Sequence, residues 1–171
     1  AESAAATAYE RGVEVGDNDA TGYYAAHLLT IRFLQGRDAE LLDLAEEVAL
    51  SPTLTDRERG LRAAAAGIAA RAGDVERART ILGETGLADI APSSTSLVAL
   101  AGLADVAVAL ADPGLARGVY DALQPLAGLP LVPSLAVTCL GSTERPLGLA
   151  AAAFGEPQLA VEHLERALAA D

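Results

Sequence analysis

The sequence predicts an all-α fold, a solenoid of helix hairpins, and three observations favour it. Alanine and leucine dominate, with 39 and 27 of the 171 residues, against two Phe, four Tyr and no Trp. Both are strong helix formers, and small side chains let helix axes come close together. A turn recurs along the chain, and apolar residues recur at offsets of three and four after each copy of it.

The recurring turn has a small residue, then polar or proline residues, then a hydrophobic helix. Its four copies begin at Gly36, Gly73, Ala111 and Gly155, which are 37, 38 and 44 residues apart. Glycine ends a helix at low cost in the left-handed region, and Asp before Pro caps the helix that follows. Each turn is therefore expected to join two helices into a hairpin.

The helices follow in order from these turns. A lone helix is expected at 3–15, because the polar run 16–19 makes a turn after it. It looks like the second half of a preceding pair, so we expect one helical-repeat domain over 1–171 that is a fragment of a larger protein. Four pairs follow, at about 20–50, 55–84, 94–127 and 142–170, with their helices at 20–35, 38–50, 55–72, 74–84, 94–110, 113–127, 142–154 and 157–170.

Local capping signals support two of these helix starts. Thr55 to Glu58 has the spacing of a capping box, with a hydroxyl and a carboxylate three residues apart, at the start of the second pair. Ser142 or Thr143 is expected to open the first helix of the last pair, because a hydroxyl can accept a hydrogen bond from a free N–H there.

Charge and composition argue against several classes of function. The formal net charge is −12, and all 12 basic residues are arginine. An acidic surface repels phosphate backbones, so we expect no direct nucleic-acid binding by this segment. The longest uncharged run, 122–143, is interrupted by three prolines and two glycines, so we expect no membrane span.

Cys139 is the only cysteine, so it lacks a partner for an internal disulfide or a metal-binding thiol pair. It lies in a proline-rich apolar stretch, where we expect a buried, protonated thiol. A reduced, cytoplasmic setting fits this cysteine usage best.

No catalytic or cofactor motif stands out. The chain has no lysine, which excludes a Walker-type phosphate loop, and it carries no dinucleotide-binding fingerprint. His27 and His163 are the only histidines and do not have metal-ligand spacing, so a surface or packing role is expected for both. We therefore expect no catalytic residues, no metal, no cofactor and no enzymatic activity.

The turn pattern Gly-x-x-x-x-Ala, with Leu147 and Gly148 seven to eight residues before Gly155, resembles the tetratricopeptide repeat. This resemblance implies a right-handed α-solenoid of tetratricopeptide-like helix hairpins.

Four longer segments, 19–37, 139–142, 147–155 and 160–168, resemble the helical-repeat region at the C-terminal end of large bacterial signalling regulators. Those multidomain proteins combine an ATPase core with a LuxR-type DNA-binding domain or a class III adenylate cyclase domain. The resemblance implies that the repeats sense or assemble, while catalysis or DNA binding belongs to other domains. A protein partner, other domains of the parent chain or a small effector would then be bound.

Candidate binding residues are expected on the first helices of the pairs, because stacked hairpins expose those helices on a concave face. The sparse polar and aromatic residues there are Tyr23, Thr30, Phe33, Arg71, Asp105 and Arg145. Arg145 should matter most, since its guanidinium can hold a carboxylate or phosphate in a fork. An ordinary packing or solvent role for these residues remains the alternative.

The sequence thus predicts a non-catalytic protein- or effector-binding repeat scaffold of a bacterial transcriptional or signalling regulator. A stand-alone small-ligand-binding helical domain, and a helical enzyme or chaperone adaptor, remain alternatives. A convergent pocket with buried charge would favour the binding of a small effector.

Overall fold

A computed structural model describes residues 1–50, 60–133 and 138–170. Over these ranges the chain is all-helical, with one isolated β-bridge between Pro130 and Ser142 and no strand, which confirms the predicted all-α class. None of the described helices is long and apolar enough to cross a bilayer. The α-helices are α1 (Glu2–Glu14), α2 (Ala20–Leu34), α3 (Leu42–Ala49), α4 (Gly60–Arg71), α5 (Val75–Leu82), α6 (Ser96–Ala109), α7 (Pro113–Leu123), α8 (Glu144–Ala153) and α9 (Pro157–Ala170).

Two of the predicted helix ranges contain a change of helix type. The range 38–50 begins as a 3-10 turn, Asp38–Leu41, before α3. The range 113–127 ends as a 3-10 turn, Gln124–Leu126, because Pro125 has no N–H with which to continue the α-helical ladder. The capping box expected at 55–58, and the helix start that it would mark, lie outside the described residues.

The recurring turns use the left-handed region of backbone space. The first residue of each turn has a positive φ, at Gly36 (66°), Gly73 (82°), Ala111 (50°) and Gly155 (92°). In two of the turns an aspartate then caps the next helix, since Asp74 accepts a hydrogen bond from the N–H of Arg77 and Asp112 from that of Leu115. These contacts are local in sequence, and they reverse the chain between the two helices of a pair.

At the start of α8 the two candidate capping residues take different roles. The Ser142 hydroxyl accepts a hydrogen bond from the N–H of Glu144 at 3.2 Å. Thr143 occupies the N-cap position but makes no side-chain cap; its hydroxyl instead lies 2.8 Å from the carbonyl oxygen of Leu126 and 3.1 Å from that of Leu129. Thr143 therefore connects the start of α8 to the segment after α7 by hydrogen bonds.

Helices α4, α6 and α8 form a central layer, in which α4 packs closely on α6 and α6 packs on α8. Helices α5, α7 and α9 each pack on the preceding helix of this layer. Glycines permit the closest approach: a Cβ atom added at Gly67 would lie 2.5 Å from the Cα atom of Gly102. The core between these helices consists mainly of buried alanine and leucine side chains.

Helix α2 departs from this packing. It pairs with α1, where the rings of Tyr9 and Tyr24 stack at 5.0 Å, and it contacts the 3-10 turn Asp38–Leu41. It makes few contacts with α4, in contrast to the close packing of α4 on α6. Space is therefore left between α2, α4 and α6.

Candidate functional site

A cavity of about 210 Å³ lies between α2, α4 and α6, and we call it the main cavity. The described residues that line it are mostly apolar and come from these three helices, from α3 and its preceding turn, from Leu131 and Leu140, and from α8. Representative lining side chains are Ala26, Leu29, Ile68, Ala101, Leu131 and Leu140. Such a cavity can bury an apolar group but offers it no polar partner along most of its length.

One end of the main cavity is charged. The Nη1 atom of Arg71 lies 2.6 Å from Oδ2 of Asp105, and the Nη2 atom of Arg145 lies 3.2 Å from Oδ1 of the same carboxylate. The guanidinium groups also lie over the ring of Phe33, at 4.8 Å for Arg71 and 5.4 Å for Arg145. Three helices thus place one carboxylate and two cations beside an aromatic ring.

Asp38 completes this cluster, and its role was not expected from the sequence. Its Oδ1 atom lies 2.9 Å from Nε and 2.8 Å from Nη2 of Arg71, so Arg71 joins two carboxylates. Burial alone would lower the pKa of Arg71, but the charge of Asp105 and the hydrogen bond to Asp38 outweigh it and raise that pKa. Arg71 therefore stays charged, and each of its three guanidinium nitrogens contacts a carboxylate oxygen of Asp38 or Asp105.

Arg145 is the more accessible cation of the cluster. Its side chain is 31% exposed, compared with 17% for Arg71. Its contact with Asp105 is long and uses a single nitrogen. A planar guanidinium has five N–H donors, so Arg145 can donate to a second polar partner. The ion pairs of Arg71 with Asp38 and Asp105 need not break for this.

Four of the six predicted site residues meet at the main cavity: Phe33, Arg71, Asp105 and Arg145. Tyr23 and Thr30 do not line it. Tyr23 is exposed on α2, whereas Thr30 is buried and its hydroxyl has no hydrogen-bond partner among the described residues.

A second cavity, of about 440 Å³, adjoins the first and shares Phe33, Leu140 and Arg145 with it; we call it the outer cleft. Cys139 lines the outer cleft and is exposed, so the expectation of a buried thiol was wrong. The neighbouring Leu140 is buried against the main cavity instead, and Cys139 is left on the solvent side.

A second polar cluster joins α7, α8 and α9. The Tyr120 hydroxyl lies 3.0 Å from Nε2 of His163, and Nδ1 of His163 lies 2.6 Å from Oε2 of Glu144. The Nε atom of Arg166 donates to the same carboxylate oxygen at 3.0 Å. The His163 ring therefore bridges the Tyr120 hydroxyl and the Glu144 carboxylate through its two nitrogen atoms.

The chain of contacts from Tyr120 to Glu144 resembles a catalytic relay in composition, but its position favours a structural role. His163 and Glu144 are buried, and neither the main cavity nor the outer cleft is lined by them. Burial alone would raise the pKa of Glu144, but the hydrogen bonds from His163 and Arg166 outweigh it and hold that pKa below its ordinary value. The cluster thus links α7, α8 and α9 through hydrogen bonds that include the ionised carboxylate of Glu144.

Among the described residues, no group of three or more His, Cys, Asp or Glu side chains could hold a metal ion. No protein-family model, curated protein or solved structure matches the chain. The geometry of the main cavity and its charged end is therefore the observation that bears on function.

Proposed function

We propose that this chain is a non-catalytic repeat scaffold that binds a small effector in the main cavity. The observation that carries the proposal is an apolar cavity of about 210 Å³ that ends at a partly exposed arginine. Ligand sites in proteins combine largely apolar walls with a few convergent polar groups, and this cavity has both features.

The charged groups of the main cavity favour binding over catalysis. Among the described residues, the titratable ones that line it are Arg71, Asp105 and Arg145. Arginine stays protonated throughout the physiological range and is a poor acid or base. The Asp105 carboxylate is held by both guanidinium groups, and both of its oxygen atoms are occupied. The cluster can therefore orient a ligand but has no group suited to proton transfer or nucleophilic attack.

A small effector fits the main cavity better than a partner protein does. A partner would have to insert a single apolar side chain between three helices, whereas a small molecule can fill the volume and reach Arg145 at the same time. Of the two kinds of ligand that the sequence predicts, a protein partner and a small effector, we therefore propose the small effector.

The repeat context of this scaffold is also part of the proposal. The central layer of α4, α6 and α8, with their partner helices packed on them, supports a solenoid of helix hairpins, and the resemblance to the tetratricopeptide repeat implies a right-handed one. The resemblance of four sequence segments to the repeat region of bacterial signalling regulators supports a sensing role in a cytoplasmic transcriptional or signalling protein.

Filling the main cavity tests the proposal. Ala64 lines it and is half-buried, so the larger side chain of Ala64→Leu should occupy part of the space. Indole is a suitable probe, because an apolar cavity of about 150 Å³ already binds benzene. Calorimetric titration should show indole binding to the wild-type chain and a loss of at least tenfold in affinity in Ala64→Leu.

The matched control is Ala152→Leu, which adds the same atoms at an exposed position of α8. It should bind indole as the wild type does. Failure of the wild-type chain to bind indole, or equal binding by both leucine variants, would contradict the cavity assignment.

A further inference from the structure

We infer that the effector is an amphiphilic monocarboxylate, with its apolar body in the main cavity and its carboxylate on Arg145. This inference rests on the proposed function and adds the chemical class of the ligand. It is carried by three observations: the volume of the main cavity, the state of its charged groups, and the position of Arg145 between two cavities.

The volume limits the apolar body. An apolar cavity of about 150 Å³ accommodates one benzene molecule, so a cavity of 210 Å³ accommodates about eight carbon atoms. The walls contain small side chains such as Ala26 and Ala64 together with the flexible Leu29 and Leu44, so a linear chain or a single ring would fit.

The charged groups of the main cavity determine whether a cationic or an anionic ligand binds better. Asp38 and Asp105 are almost completely buried, with side chains 9% and 5% exposed, and both are bound to Arg71. An amine entering the cavity would find these carboxylates already paired and would meet the guanidinium of Arg145 first. A carboxylate would instead find in Arg145 a partly exposed cation with N–H donors that no described residue occupies, and the pair can form two parallel hydrogen bonds.

The charge count sets the expected strength. Asp38, Arg71, Asp105 and Arg145 have a formal sum of zero, and the whole chain carries −12. A bound carboxylate therefore gains from Arg145 while it is repelled by Asp105 and by the acidic surface. We expect a contribution of about tenfold from the acid group, as for one charge-assisted hydrogen bond, and not the larger gain of an isolated pair.

The position of Arg145 sets the orientation. Arg145 lines both the main cavity and the outer cleft, so a carboxylate on it lies at the boundary between them. The apolar body then points inward, and the carboxylate faces the cleft that holds Cys139 and Ser142. Cys139 is the only cysteine and is exposed, so it can report on this boundary without any mutation.

A ligand series on the wild-type chain tests the inference. The ligands are octanoate, 1-octanol and octylamine, which share one apolar chain and differ in the polar group at its end. Their affinities are measured by calorimetric titration at neutral pH. Octanoate should bind about tenfold more tightly than octanol, and octylamine more weakly than either. Octanoate should also slow alkylation of Cys139 by iodoacetamide, with a half-effect at the same concentration as its Kd.

A variant pair then assigns the acid contact to one residue. Arg145→Gln should reduce octanoate affinity to the level of octanol while leaving octanol affinity unchanged, which also shows that the cavity has kept its shape. The control Arg79→Gln removes an exposed arginine that pairs with Glu76 on α5 and should change neither affinity.

The outcomes separate this inference from the proposed function. Octanol or octylamine binding at least as tightly as octanoate, or an Arg145→Gln variant that retains the preference for octanoate, would overturn the carboxylate assignment and leave the cavity site intact. Absence of binding by octanol, octanoate and indole alike would overturn the proposed function and the inference with it.

Discussion

Gly102 offers the sharpest test of how the central helices pack. It lies in α6 against α4, and a Cβ atom added there would be 2.3 Å from the carbonyl oxygen of Ala63 and 2.8 Å from the Cα atom of Ala64. Real Cβ atoms essentially never approach another atom closer than 3.0 Å. Both neighbours belong to the backbone, so the two helices would have to move apart along a buried contact.

The size of the effect follows from two opposing terms. Gly102→Ala gains about 1 kcal/mol from the higher helix propensity of alanine. Overpacking of a core contact costs about 1–3 kcal/mol, and the upper end applies or is exceeded here because backbone cannot rotate away as a side chain can. We expect a net loss of about 2 kcal/mol in the free energy of unfolding.

Urea denaturation followed by circular dichroism measures this loss. With an m-value of about 2 kcal/mol/M, the midpoint should fall by about 1 M. Gly22→Ala is the control, because Gly22 lies within α2 and a Cβ there would meet no atom of the described residues within 4 Å. Its midpoint should be unchanged or higher. A Gly102→Ala variant as stable as Gly22→Ala would refute the close approach of α4 and α6.

Two further predictions concern the turns and the acid sensitivity of the fold. Ala111 has a left-handed φ of 50°, so Ala111→Gly should raise the free energy of unfolding by up to about 1 kcal/mol, as seen in a higher urea midpoint; a lower midpoint would contradict this. The pKa of Glu144 is depressed, so its contacts with His163 and Arg166 stabilise the fold above the ordinary glutamate pKa and lose that contribution as the pH falls through the folded value. Thermal melts should therefore show a smaller acid-induced loss of stability in Glu144→Gln than in the wild type, and equal losses would contradict the ionised role of Glu144.

The parts of the fold that sequence predicts well are those set by local chemistry. The turns at Gly73 and Gly155 and the aspartate caps depend on residues within a few positions of one another. By contrast, the pairing of the Asp38 carboxylate with Arg71, which belongs to another hairpin, is a tertiary contact. Local patterns carry no information about a pair 33 residues apart.

The candidate site shows the same division. Thr30 and Asp105 both lie six residues before their turns, so a regular repeat gives them equivalent positions. Only Asp105 lines the main cavity, because α6 packs closely on α4 whereas α2 does not. The departure of α2 from the repeat also creates the cavity itself, and no periodicity in the sequence indicates it. Arg71, Asp105 and Arg145 could be selected because charged residues are rare on these apolar helices.

The most direct test of the main cavity as the ligand site is an NMR titration of isotope-labelled protein with indole. Shifts should concentrate on residues around the cavity, including the amides of Leu29, Ile68 and Ala101, and should follow a single binding curve. Ala160, which is buried on α9 and does not line the main cavity, should remain unshifted and serve as an internal control. The proposal predicts that Ala64→Leu weakens the binding measured from these shifts at least tenfold. Saturable shifts confined to α7 and α9, or an unchanged binding curve in that variant, would contradict it.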